Sequence, residues 1–138
     1  MQIFAVIDTN VIVSALITKN PLSPPYMVLR EVLDGKIIPL YHPEIIEEYI
    51  EVLSRSKFHL NAETIQTVIN SIISNGIKVD PKPTGEIFVD MDDLIFYEIA
   101  MERRDDDAYI VTGNKKHYPV REFIVTPSEM LNILNEMV

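Results

Sequence analysis

The sequence contains no cysteine. That absence excludes a disulfide framework, a Cys-ligated zinc site and thiol catalysis together. Basic residues are scarce as well, with 12 Lys+Arg against 21 Asp+Glu and a formal net charge of −9. Such a balance argues against a domain that coats nucleic acid by charge alone, and against adhesion to an anionic membrane. Long hydrophobic runs are missing too. The first apolar stretch, Ile3–Ile7, stops at Asp8 and has no basic residues ahead of it, so it does not read as a signal peptide. No stretch approaches the roughly 18 apolar residues of a spanning helix. The expectation is a soluble, cytoplasmic protein without a membrane partner. Internal repeats and low-complexity tracts are also lacking. What is present is ordinary for a globular protein, 47% hydrophobic and 24% charged residues. With 138 residues, the chain lies near the modal domain size of roughly 100–150. Residues 1–138 are therefore expected to form a single domain whose core needs neither disulfide nor structural metal.

The order of elements predicts an α/β fold. Residues 2–7 are apolar and rich in β-branched side chains, as in a strand buried on both faces. Asp8 ends that strand. Thr9 or Asn10 is placed to cap a helix that the Pro21/Pro24/Pro25 segment breaks, and a second helix over about 25–33 stops at Asp34-Gly35. Lys36–Tyr41 reads as a strand, which Pro39 makes imperfect or peripheral. Pro43 suits a first helical position, and the periodicity runs on through Arg55. Asn61 caps a further helix ending at Gly76, and Ile77–Val79 is a brief strand. Asp92 or Asp93 opens a helix to about Arg103. Strands follow at Ala108–Thr112 and Phe123–Val125, and Thr126-Pro127-Ser128-Glu129 is a capping box for the last helix. Strands alternating with helices predict a parallel sheet between helical layers.

In such folds ligands bind beyond the carboxyl ends of the strands, so the polar residues just past each strand matter most. Asp8 is the first of these, a potential metal ligand or nucleophile and equally a potential helix cap. Glu44, Glu47, Glu48 and Glu51 crowd one helix whose apolar arc is Ile45, Ile46, Tyr49, Ile50, Val52 and Leu53. At 3.6 residues per turn, Glu48 falls roughly 40° from Val52. It therefore lies at the rim of the buried face, while the other three suit a solvated surface. Asp90, Asp92 and Asp93 precede a helix, where acids complement the dipole; three within four residues exceed that need. Asp105–Asp107 precede a strand at the opposite end and read as a solvated loop. Thr112-Gly113-Asn114 follows a strand, so Thr112 and Asn114 can orient water or phosphate and Gly113 permits close backbone approach. Lys115 and Lys116 could steer a phosphodiester. His117 has no partner at metal-motif spacing.

The ordered set IDTNVIVSAL (7–16), PEIIEEYIEVLSR (43–55), DMDDLIFYEIA (90–100) and YIVTGNKKHYP (109–119) resembles the PIN-domain family, and in particular the VapC-like toxin ribonucleases of prokaryotic toxin–antitoxin modules. The resemblance spans nearly the whole chain. It implies a three-layer α/β/α fold with a central parallel sheet of four to five strands, an acidic pocket for Mg²⁺ or Mn²⁺, and cleavage of single-stranded RNA. It further implies frequent homodimers and, where an operon partner exists, an antitoxin protein. Carried over residue by residue, the family's catalytic and metal-binding acids fall on Asp8, Glu48 and Asp93, and Asp90 or Asp92 stands near enough in sequence to add a further ligand charge. The family's last acid falls on Asn114, a departure that removes one charge. Thr9, Asn10, Thr112 and Lys115 take substrate-orienting places.

Elementary electrostatics supports a cation in such a pocket, since unit charges about 4 Å apart repel by about 4 kcal/mol at an effective dielectric near 20. Mg²⁺ keeps several waters and suits one or two direct carboxylates. Two other readings stand beside the ribonuclease. One is a PIN fold weakened at Asn114 that serves as an RNA- or protein-binding module. The other is a phosphotransferase of haloacid-dehalogenase type with Asp8 as nucleophile, from which the chain departs because Asn10 occupies the place of that family's second acid. Met101, Tyr118 and the stripe Leu131/Leu134/Met137 are open either to a dimer interface or to core packing. No aromatic–basic platform for reading RNA stands out in the sequence.

Overall fold

The computed structural model describes residues 2–137. Among these, five strands form one parallel sheet in the order β3-β2-β1-β4-β5. The strands are β1 (Ile3–Ile7), β2 (Ile37–Tyr41), β3 (Ile77–Lys78), β4 (Tyr109–Val111) and β5 (Ile124–Val125). The helices that connect and flank them are α1 (Thr9–Ile17), α2 (Pro24–Leu33), α3 (Pro43–Leu53), α4 (Ala62–Asn75), α5 (Leu94–Glu102) and α6 (Pro127–Glu136). This is the expected α/β architecture. Strand β1 is central because it is apolar throughout; Ala5 and Val6 have no exposed surface at all.

The local signals act as their chemistry dictates. Asn61 Oδ1 accepts the Thr64 amide at 2.7 Å, and Thr126 and Glu129 exchange the two bonds of a capping box. Helix α3 stops two residues before Arg55. Leu53 is its last buried residue, Ser54 caps it, and Arg55 is extended before a 3₁₀ turn at Ser56–Phe58. Ile50, placed in the apolar arc by periodicity, is 40% exposed. The run Asp105–Asp107 lies on the far side of the sheet from the carboxyl edge, exposed, with Asp106 paired to Arg103.

Strand β2 is not peripheral: it pairs with β1 on one side and β3 on the other. Pro39 is tolerated because its carbonyl points at Gly76, so its missing N–H falls on the β3 side just before that pairing begins at Leu40. Gly76 ends α4 in an extended conformation, not a left-handed one. Its role is space. A Cβ there would sit 2.5 Å from both the Ile72 and the Pro39 carbonyl oxygens. Gly76→Ala should therefore force β2 and α4 apart and cost about 1–3 kcal/mol, the range of core overpacking. Thermal unfolding of the variant reads this directly, and wild-type stability would show that the backbone gives way freely.

Candidate active site

The parallel register builds the site. Ile7 pairs with Val111, so the next residues, Asp8 and Thr112, emerge side by side at the carboxyl edge. The chain leaves β1 toward β2 and returns on the other side through β4, which makes this the topological switch point of the sheet, where ligands bind in open α/β folds.

Asp8 starts α1 but makes no capping hydrogen bond. Its carboxylate turns to the sheet edge, where Oδ2 accepts from Thr112 Oγ1 at 2.8 Å, Tyr118 Oη at 3.1 Å and Asn10 Nδ2 at 3.3 Å. Two of the three donors are aimed by a further bond. The Thr112 hydroxyl accepts the Asn114 amide at 3.1 Å, which directs its proton to Asp8. The Asn10 carbonyl oxygen accepts the Gly113 amide at 2.9 Å, which fixes the orientation of its carboxamide. A Cβ at Gly113 would lie 3.1 Å from that oxygen, so glycine permits the approach. Tyr118 is held by its ring, edge-on to Phe88 with centroids 5.8 Å apart. Burial pushes the Asp8 carboxyl up from its ordinary pKa, while the bonds from Thr112 and Tyr118 pull it back. Burial and the facing Asp8 charge push the Tyr118 phenol far up, so it remains a donor.

Glu48 arrives from α3, as the helix wheel places it. Its neighbour Tyr49 is buried and donates from its hydroxyl to the Ile7 carbonyl, tying α3 to the end of β1. Glu48 Oε2 accepts a short bond from the Thr9 hydroxyl. Burial raises its pKa, the Thr9 bond opposes this, and the charges of Asp8, Asp92 and Asp90 add to the rise. Asp93 sits in a 3₁₀ turn, Met91–Asp93, capped by Asp90 Oδ1, which accepts the Asp92 amide at 3.0 Å. The Asp93 carboxyl is pushed up to about 6, first by burial and then by Asp8 and Asp90. Its Oδ2 is buried with no hydrogen-bond partner. His117 Nδ1 lies 3.4 Å away, at ion-pair distance but without hydrogen-bond geometry.

These groups share an open cleft of about 410 Å³, whose walls include Asp8, Thr9, Asn10, Glu48, Asp92 and Asp93. Asp90 and His117 also line it. Of the residues expected here from sequence, Asn114 and Lys115 turn elsewhere. The Asn114 side-chain nitrogen is 3.0 Å from His117 Nε2, and Lys115 Nζ is 3.1 Å from Glu129 in the α6 capping box. For Tyr118, left open between core packing and a dimer face, the structure selects the core and adds a role at the site that sequence reasoning did not assign. It is 6% exposed and bonded to Asp8, so it belongs to the core and not to a dimer face. A tyrosine expected to be buried needs a partner for its hydroxyl, and that is the signal that could have found it.

The donor set suits a hard divalent cation. The carboxylates offer oxygen ligands, with His117 the one nitrogen ligand beside them; one carboxylate oxygen lacks a partner, and neighbouring acids add to the raised pKa values of Glu48 and Asp93. Among the described residues no three metal-ligating side chains are already gathered at holding distance. Asp8, Glu48 and Asp93 therefore fit a cation by chemistry, with side-chain adjustment on binding.

A parallel five-stranded sheet with clustered carboxylates at its switch point is the architecture of a PIN-type domain. A PIN-domain family model matches residues 5–116, and the chain belongs to the PIN-domain family. PIN domains are generally metal-dependent nucleases. The chain is also similar to the uncharacterized protein MJ1680 of Methanocaldococcus jannaschii, 31% identical over 125 residues that cover 88% of this chain and 77% of the relative. No described helix is long and apolar enough to cross a membrane.

Proposed function

We propose that the protein is an endoribonuclease that cleaves single-stranded RNA with Mg²⁺ or Mn²⁺, and that it acts in the cytoplasm as the toxin of a toxin–antitoxin pair. The observation that carries the nuclease reading is the convergence of Asp8, Glu48 and Asp93 on one cleft, with Asp8 held by three donors on one of its oxygens. Asp8, Glu48 and Asp93 would hold the cation, with Asp90 or Asp92 at the rim. A bound divalent ion supplies charge neutralisation at the phosphodiester and activation of water at neutral pH. The chain's own contribution is positional. Thr112, Tyr118 and Asn10 fix Asp8; Thr9 fixes Glu48; Asn114 aims the Thr112 hydroxyl through its backbone amide. Such fixed hydrogen bonds keep ligand carboxylates in one rotamer, and losing them in comparable sites costs about 10–100-fold in metal affinity or activity.

The family match over Asp8, Asn10 and Glu48 leaves the phosphotransferase reading without support. The binding-module reading has one observation in its favour, Asn114, whose side chain faces His117 and not the cleft. A homodimer through Met101 and the Leu131/Leu134/Met137 stripe is part of the proposal; the stripe lines a separate groove beside Met27, and Met101 is 39% exposed. Labelled single-stranded RNA tests the activity. Wild-type protein should cleave it with Mg²⁺ or Mn²⁺, EDTA should stop cleavage, and Asp8→Asn should lower the rate by at least about a hundredfold. Equal, EDTA-insensitive rates in both proteins would remove the ribonuclease reading. RNA binding without cleavage would favour the binding module. Growth arrest on expression, relieved by Asp8→Asn, would support the toxin role.

A further inference from the structure

The cleft has a second wall that the acids do not explain. Besides the carboxylates it is lined by Val13, Val52, Arg55 and Phe58. Phe58 is half-buried: part of its ring packs on the core while the side chain still lines the cleft. The backbone geometry that places it is specific. After α3 the chain makes the 3₁₀ turn Ser56–Phe58 and is closed by His59 in the left-handed region, φ 54°. Arg55, which precedes the turn, and Phe58, which ends it, both line the cleft. Lys57 Nζ stands 5.1 Å from the centre of the Phe58 ring. The Arg55 guanidinium pairs with Glu51 at 2.9 Å through Nη2, and neither bond to Glu51 uses Nη1. In a chain of net charge −9, Arg55 and Lys57 thus place two cations beside an aromatic ring that borders the acidic cleft.

We propose that Phe58 and Arg55 form a nucleotide subsite for single-stranded RNA, in which a base beside the scissile phosphate packs on the Phe58 ring and a neighbouring phosphate binds the Arg55 guanidinium. Apart from His117, the titratable groups lining the rest of the cleft are carboxyls, which repel phosphates, so the strand needs a cationic hold outside the metal. Guanidinium N–H groups match phosphate oxygens in geometry, and an aromatic ring accepts any base through its π-face. An unpaired strand alone can turn a base onto such a wall. The subsite supplies the aromatic–basic platform that the linear sequence conceals.

This inference rests on the ribonuclease reading for its ligand class, and the test separates the two. In an Asp8→Asn background, which prevents cleavage, binding of a fluorescein-labelled single-stranded oligoribonucleotide is followed by anisotropy with Mg²⁺ present. Adding Phe58→Leu should weaken binding about tenfold, whereas Phe58→Tyr should retain it. Arg55→Gln should weaken binding and lower the logarithmic salt slope by about 0.7, as for one lost phosphate contact on a single strand. Arg55 is 48% exposed, so that variant folds even if Phe58→Leu does not. Parent-like affinity and salt slope in Arg55→Gln, with parent-like affinity in any folded Phe58→Leu, would overturn the subsite. Cleavage by wild type alongside those results would leave the ribonuclease reading standing. RNA affinity that falls in the variants, with no cleavage by wild type, would support the subsite and remove the ribonuclease reading. No RNA binding by the parent overturns both.

Discussion

Asp93→Asn should make the metal-free protein more stable at neutral pH while abolishing cleavage. The folded state holds the Asp93 proton more tightly than the unfolded chain does, with a pKa of about 6 against an ordinary 3.8. For an acid raised in this way, the favourable contribution is complete below the unfolded value and is lost as pH rises through the folded one. Above about pH 6 the buried charge is a standing cost of about 2 kcal/mol after allowance for solvent screening. Asparagine removes the charge and retains the shape. Thermal unfolding in EDTA should therefore show Asp93→Asn several degrees above wild type at neutral pH. Near pH 4 the two should coincide, because wild type is then protonated as well. A variant less stable than wild type at neutral pH would mean that the contact with His117 outweighs burial. The trade is the familiar one in which a functional site is held at the expense of stability.

The second large effect concerns metal. Asp8, Glu48 and Asp93 all have raised pKa values, so the metal-free protein should lose stability as pH climbs from about 4 to 7, opposite to the usual acid unfolding. At about a hundred times its dissociation constant, Mn²⁺ should restore about 2.7 kcal/mol near pH 8. Near pH 4 the gain should vanish, because protonated carboxyls are poor ligands. Calorimetry should find a single tight Mn²⁺ site without RNA, since Asp8, Glu48 and Asp93 share one cleft from which the Asn114 side chain turns away. Two tight sites in wild type, or equal stabilisation at both pH values, would contradict this account of the cluster.

Much of this was legible locally. The apolar run of β1 has to be buried, so the polar residue that ends it has to emerge at a sheet edge, and Asp8 does. The 3.6-residue period of α3 separates Glu48 from its three solvated neighbours, and the structure places Glu48 on the cleft. The caps at Asn61 and Thr126 form from residues three apart. What was hidden depends on distant partners. Tyr118 meets Asp8 across 110 residues of sequence. Pro39 fits an interior strand only because β3 joins one residue later, a matter of register that no local pattern carries. Lys115 follows Thr112 closely enough to suggest a shared role, yet the chain turns and gives it to Glu129. Phe58 and Arg55 reach the cleft through a turn whose left-handed residue is a histidine, where glycine would have been the readable signal.

The hold on Asp8 also sets an order of events during synthesis. Its donors Thr112 and Tyr118 lie 104 and 110 residues downstream, and the strand that carries Thr112 is the one that completes pairing of β1. A nascent chain growing from its amino end exposes Asp8 long before Thr112 and Tyr118 exist to orient it. A fragment that stops short of Thr112 has the carboxylate but only one of its three donors, Asn10. The orientation of Asp8 is thus completed late, only when the segment that carries its two distant donors reaches the sheet edge.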